Sequence, residues 1–175
     1  MSELLIIPGS LRAASASRAT ARALAERLKD RATCTIADVG KLPHYNADVT
    51  DNAEVDAFIA QVAAARGVIF VTPEYNYSVP GVLKNAIDWA SRPAFASVFK
   101  DKPCFVVSVS GGALGGVRAQ AHLKYILGGM LAHVPAAKEV VIPLANNKVS
   151  DGMMTDEDTL AFALAEMTTF FDIFG

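Results

Sequence analysis

Five short runs of consecutive apolar residues alternate along this chain with five segments whose apolar positions repeat at the spacing of a helix face. The first run, residues 4–8, passes into Gly9-Ser10, the way a strand buried on both faces enters a turn. Residues 33–39, 67–71, 104–109 and 139–143 repeat the pattern. Between them, residues 15–30 set Ala19, Ala23, Leu24 and Leu28 opposite Arg18, Arg22, Glu26 and Lys29. Helices are likewise predicted over 53–65, 82–91 and 117–132, with Leu83, Ala86, Ile87 and Ala90 sharing a face of the third and Pro80 in its first turn. Thr155 is placed to cap a last helix that has Asp156, Glu157 and Asp158 in its first turn. Residues 40–52 and 92–102 carry turn and cap residues and read as irregular connections.

This alternation predicts an α/β protein, a three-layer sandwich around a five-stranded parallel sheet, with residues 1–175 as a single domain. Five strands favour the flavodoxin-like order 2-1-3-4-5 over a Rossmann arrangement, which usually needs a sixth. In that order strands one, three and four are neighbours, so the loops after them open together at the switch point of the sheet, the place where open α/β sheets bind their ligands, as flavodoxin does FMN.

Those three loops are the unusual ones. The first, from Gly9 to Ser17, precedes a helix whose free amides attract an anion, and Ser10, Ser15, Ser17 and Arg12 add donors suited to a terminal phosphate. Ser15 or Ser17 is equally placed to cap the helix. It is neither a GxGxxG nor a Walker loop. The second, Thr72-Pro73-Glu74-Tyr75-Asn76-Tyr77-Ser78-Val79-Pro80-Gly81, exposes two aromatic rings that a planar ligand would cover. The third, Ser110-Gly111-Gly112-Ala113-Leu114-Gly115-Gly116, lets backbone approach a ligand where a Cβ would clash. Amides of Gly111 and Gly112 there could stabilise negative charge developing on a ring edge, with Ser110 as a further donor.

Composition narrows the partners. A net charge of −2 with no long basic cluster gives no footprint for nucleic acid. No apolar run approaches a membrane span, and the start of the chain lacks the positive segment of a secretion signal, so a cytoplasmic protein is expected. Cys34 and Cys104 lie in separate strands and read as core residues of a reducing compartment. His44, His122 and His133 share no metal spacing, and no metal site is expected.

GSLRAASAS after strand one, TPEYNYSVPGVLKNAIDW after strand three and SGGALGGVRAQ after strand four together resemble the NADPH-dependent FMN reductase family, which includes quinone, azo-dye and chromate reductases. The resemblance runs from Leu4 to Pro143. It implies FMN as cofactor and NADPH or NADH as electron donor. Two electrons would pass by ping-pong hydride transfer to a small-molecule acceptor such as a quinone, azo compound, free flavin or chromate-type oxyanion. It implies that Ser10, Leu11, Arg12, Ser15, Ala16 and Ser17 hold the phosphate end, that Pro73, Glu74, Tyr75, Asn76 and Tyr77 meet the ribityl chain and ring, and that Ser110, Gly111, Gly112 and Gly115 lie near its pyrimidine side. No side-chain catalyst is implied, because the flavin carries the chemistry. A homodimer or homotetramer is the usual assembly of such relatives. The rival from another class is a flavodoxin-type electron carrier with protein partners. Carriers of that kind are usually strongly acidic, unlike this chain.

Overall fold

The computed structural model describes residues 2–173. Met1, read above for the start of the chain, and the last two residues of the expected domain lie outside the described residues. The elements follow in the order β1 (Ser2–Pro8), α1 (Ala16–Leu28), β2 (Ala32–Ile36), α2 (Ala53–Ala64), β3 (Gly67–Thr72), α3 (Gly81–Ala90), β4 (Cys104–Val109), α4 (Val117–Gly129) and β5 (Val140–Ile142). A small hairpin, β6 (Val149–Ser150) and β7 (Met153–Met154), then leads to α5 (Glu157–Glu166) and α6 (Thr168–Asp172).

The five long strands form one sheet in the order β2-β1-β3-β4-β5, all pairs parallel, which is the expected flavodoxin-like order. Strand alternation sorts the core into two layers. Leu4, Ile6, Ile69, Val71, Phe105 and Val107 pack with α1, α5 and α6 through Leu24, Leu160 and Phe170. Leu5, Ile7, Val68, Phe70, Cys104 and Val106 face the other way, against Phe58, Leu83, Ile87 and Leu123 of α2, α3 and α4. Both central strands, β3 and β4, are buried along their whole length, so their sequences are apolar without alternation.

Three details differ from the sequence reading. Strand two, expected to run to Val39, ends at Ile36, and Val39 instead opens a 3-10 turn over residues 39–41 that Asp38 caps by accepting from Gly40 N–H. The turn-rich stretch after β5 contains the β6-β7 hairpin, whose two-residue strands are too short to leave a periodic signal. The cap of α5 is Asp156, which accepts from Thr159 N–H at 2.9 Å, and not Thr155, whose hydroxyl donates to Lys148 O. A carboxylate one residue closer to the helix also meets its dipole, which favours it over the hydroxyl. No helix among the described residues is long and apolar enough to cross a membrane.

Candidate functional site

Because the strands are parallel, the connections after β1, β3 and β4 leave at one edge of the sheet, and the contacts there tie them together. Gly9 N–H donates to Val71 O at 2.9 Å. A Cβ at Gly9 would meet Pro73 Cδ and Leu83 Cδ2 at 3.1 Å, so the first loop packs closely on the second and a larger residue would have to push these side chains aside. One residue on, the buried Ser10 Oγ lies 3.2 Å from the Tyr75 hydroxyl, joining the loops a second time.

The first loop ends at the N-terminus of α1. Ser15 is the cap, its Oγ accepting from Arg18 N–H at 3.1 Å and lying 3.3 Å from Ser17 Oγ. Ser10, Ser15 and Ser17 are all buried. Among the described residues the amides of Ala16 and Ser17 have no acceptor, and the Arg12 guanidinium has no carboxylate within ion-pair distance. Positive dipole, free N–H groups and an unpaired guanidinium converge where no protein anion answers them. The side chain of Leu11 turns away and packs at Gly40.

The second loop is a tight hairpin. Tyr75 and Ser78 exchange backbone bonds of 3.0 and 3.1 Å, and Asn76 and Tyr77 between them have φ of 48° and 66°, the signature of a type I′ turn. That turn leaves the Tyr75 ring partly exposed and Tyr77 largely so, with the Arg118 guanidinium 4.4 Å from the Tyr77 ring centroid. Glu74, by contrast, is mostly covered. Its carboxylate accepts from the amides of Arg118 and Ala119 and from Arg118 Nη1 at 2.7 Å. Burial pushes the Glu74 carboxyl up, but these bonds together outweigh it and hold its pKa below the ordinary value.

The third loop is held by the chain that follows β5. Ser110 N–H donates to Ile142 O, Ala145 N–H to Ser110 O, and Leu144 N–H to Gly112 O, at 3.0 to 3.1 Å. Gly112 N–H turns onto Ser110 Oγ at 3.0 Å, whereas the Gly111 amide has no partner among the described residues. Gly115, with φ of +58°, is packed on β5: a Cβ there would meet Val141 Cγ1 at 2.4 Å.

Between the loops lies a cleft of ≈ 180 Å³. It gathers Ser10, Arg12, Ser15, Ala16 and Ser17 from the first loop, Pro73, Glu74 and Tyr75 from the second, and Ser110 and Gly111 from the third. Leu11, Asn76, Tyr77, Gly112 and Gly115 do not line it. Ala14, Val109 and Asn146 do, and sequence reasoning missed them. Asn146 is the informative omission. It comes from a fourth connection, after β5, and its Nδ2 lies 2.7 Å from the point where a Cβ on Gly111 would sit. Its position beyond a strand end at the same edge is the one signal in the sequence that could have found it. A cleft this size is below the roughly 300–1,000 Å³ of a complete ligand pocket, so a larger ligand is held here by one end and lies partly over open surface.

Among the described residues no group of three or more His, Cys, Asp or Glu is placed to hold a metal ion. Burial raises the pKa of both thiols, Cys104 strongly, which leaves neither as a ready nucleophile. The donor set at the start of α1 suits a bound group with an anionic end. A terminal phosphate, as FMN has, fits that end.

Comparison with known proteins agrees. The NADPH-dependent FMN reductase family matches residues 2–147. The chain is 38% identical over 173 residues to a 2-hydroxy-1,4-benzoquinone reductase of Burkholderia sp, covering 97% of this chain and 92% of that protein. It is 38% identical over 178 residues to a quinone reductase of Escherichia coli (strain K12), covering 96% and 93%. Among solved structures, FerB, a flavoenzyme NAD(P)H:(acceptor) oxidoreductase from Paracoccus denitrificans, superposes with a TM-score of 0.86 at 30% identity over 98% of both chains. The chain belongs to the NADPH-dependent FMN reductase family and is an NAD(P)H-dependent oxidoreductase with FMN as its cofactor.

Proposed function

We propose that the cleft holds FMN by its phosphate and that the enzyme reduces small quinones in a ping-pong cycle, with NADPH or NADH as donor. The observation that carries this reading is the convergence of the unpaired Arg12 guanidinium and the free amides of Ala16 and Ser17 on one small cleft lined by four serines. When bound, FMN supplies the two-electron chemistry, accepting hydride from the nicotinamide and delivering it to the acceptor. The chain binds and orients. Ser10, Arg12, Ser15, Ala16 and Ser17 hold the phosphate, and Leu11 supports their loop from behind. Pro73, Glu74, Tyr75, Asn76 and Tyr77 form the wall against which the ribityl chain and ring rest. Ser110, Gly111 and Gly112 face the pyrimidine edge, with the free Gly111 amide as the donor toward it, and Gly115 sets their approach.

With so small a cleft and with Tyr75 and Tyr77 exposed, a ring held here would keep one face toward solvent, where donor and acceptor would alternate. An open face also suits free flavin, azo compounds and chromate-type oxyanions as acceptors. Quinones are proposed first because both curated relatives described above carry quinone reduction in their names. We further propose that residues 1–175 act as one unit in the cytoplasm, in keeping with two free cysteines. A homodimer or homotetramer is proposed on the exposed face of α4. There Tyr125 is 86% exposed beside Ala121, His122, Gly128 and Gly129, which leaves a large aromatic ring uncovered.

The test is the visible spectrum of the protein with added FMN, followed anaerobically by NADPH and then 1,4-benzoquinone. Flavin bands that bleach with NADPH and return with the quinone, together with parallel double-reciprocal lines in steady-state kinetics, are the expected results. Flavin that binds but is not reduced, or intersecting lines, would count against the cycle.

A further inference from the structure

One lining residue of the flavin cleft, Asn146, comes from the connection after β5, and three constraints fix where that connection runs. Leu144 turns it with a φ of 50° and a ψ of 33°, left-handed values that a leucine rarely adopts. Leu144 N–H donates to Gly112 O and Ala145 N–H to Ser110 O, which pins the next turn, residues 145–148, onto the third loop. Further on, Arg22 Nε of α1 donates to Gly152 O at 2.8 Å, and the β6-β7 hairpin packs on α1. The span from Ala145 to Gly152 therefore crosses from the third loop to the helix whose start gathers the phosphate donors. Asn146 stands at the beginning of that crossing, its Nδ2 2.7 Å from where a Cβ on Gly111 would sit. Backbone strain that neighbouring bonds hold in place clusters at ligand sites.

Other polar side chains of the cleft are already engaged. Ser10 Oγ lies against the Tyr75 hydroxyl, Ser15 Oγ accepts from Arg18 N–H, and Ser110 Oγ accepts from Gly112 N–H. The Asn146 carboxamide, by contrast, makes no hydrogen bond among the described residues. The free groups also differ in kind along the cleft. At the start of α1 the Arg12 guanidinium and the amides of Ala16 and Ser17 are donors only, which matches a phosphate. Asn146 offers donors and an acceptor together, which matches hydroxyl groups, since each of those both donates and accepts. In FMN the hydroxyls lie on the ribityl chain, between phosphate and ring. A cleft of ≈ 180 Å³ takes in the phosphate end and leaves the ring over open surface, so that chain is what passes Gly111 and Asn146. We infer that Asn146 is a further cofactor-binding residue, whose carboxamide hydrogen-bonds the ribityl hydroxyls and makes the site select FMN over a flavin phosphate with a plain chain. The inference rests on the FMN site proposed above.

The experiment measures binding by quenching of flavin fluorescence, for the parent, Asn146→Ala and Arg12→Ala. Each protein is titrated against FMN and against the analogue in which an unbranched pentyl chain, without hydroxyls, joins the same ring to the same phosphate. Asn146→Ala should weaken FMN about three- to ten-fold, as the loss of one or two neutral hydrogen bonds does, and should leave the affinity for the analogue unchanged. Arg12→Ala should weaken both ligands alike, because both keep the phosphate. An equal loss for FMN and the analogue in Asn146→Ala, or no loss for FMN, overturns the inference, and in that case the Arg12→Ala result leaves the phosphate assignment standing. A parent that binds neither flavin would instead remove the FMN site itself, and the role of Asn146 with it.

Discussion

Glu74 caps the helix that begins beside Arg118: one carboxylate oxygen accepts from the amides of Arg118 and Ala119 at 3.0 and 3.3 Å, and the other from Arg118 Nη1 at 2.7 Å. The residue at the N-cap position of α4, Gly116, has no side chain to do this, and its φ of 84° suits glycine. The cap thus arrives from the loop after β3, and it locks the second and third loops of the flavin cleft together. Replacing Glu74 with Ala should destabilise the protein by about 1–3 kcal/mol, since three donors lose their acceptor in a mostly covered place. Urea denaturation read by circular dichroism measures it. A Glu74→Ala midpoint equal to that of the parent would show that the cap contributes nothing.

The same contact predicts an acid limb of stability. The folded-state pKa of Glu74 lies below its ordinary value of 4.5, so the unfolded chain takes up the proton first as pH falls. Stability from this group is therefore fully present above about 4.5 and is lost as pH drops toward the folded value. The difference in unfolding free energy between the parent and Glu74→Gln should stay constant from neutral pH down to that point and shrink below it. A difference that stays flat into the acid range would mean that the carboxylate is not what holds α4.

At the phosphate end, Arg12→Ala should weaken FMN binding by roughly 1.5–3 kcal/mol, about ten- to a hundred-fold, as expected for a lost charged hydrogen bond. Because the Arg12 guanidinium has no ion-pair partner among the described residues, fold stability without flavin should change little. Adding Ser17→Ala should weaken binding further. Quenching of FMN fluorescence on titration with protein gives the affinity, and an unchanged value in Arg12→Ala would remove Arg12 from the site.

The two glycines of the third loop should behave differently when changed to alanine. At Gly115 the φ of +58° is joined by a Cβ that would sit 2.4 Å from Val141 Cγ1 and 3.0 Å from the backbone of Ile142 and Pro143. Strain and overpacking together should cost about 2–4 kcal/mol. At Gly111 the obstacle is the end of the Asn146 side chain, which can swing aside, so the cost should stay below about 1 kcal/mol. Gly111→Ala should instead act on FMN affinity through the displaced Asn146. Equal losses of stability in the two variants would contradict this division.

Strand order and the meeting of three loops were legible because each rests on local pattern. The fully apolar runs of β3 and β4 announce burial on both faces, and Gly9-Ser10 announces the end of β1. What stayed hidden depends on partners remote in sequence. Nothing near Glu74 shows that it caps a helix 44 residues away, and nothing near Asn146 shows that it abuts Gly111. Thr155 and Asp156 are adjacent candidates for one cap, and only the geometry chooses between them.

A second remote cap carries the last prediction. The C-terminal turn of α2 has no basic residue of its own, and Lys102 from the connection before β4 supplies the charge, its Nζ donating to Ala63 O at 3.1 Å and to Ala65 O. Burial holds the Lys102 pKa below its ordinary value of 10.5, so the ammonium carries a desolvation cost that offsets part of what its bonds contribute. Lys102→Met, which keeps the apolar stem, should therefore destabilise by only about 1 kcal/mol at neutral pH. The sign in alkali follows from the same shift. As pH rises toward 10.5 the folded protein releases this proton before the unfolded chain does, so the contribution of Lys102 grows with pH. Chemical denaturation of the two proteins at neutral pH and near pH 10 tests both statements, and a gap between them that narrows in alkali would show that Lys102 does not cap α2 as a desolvated ammonium.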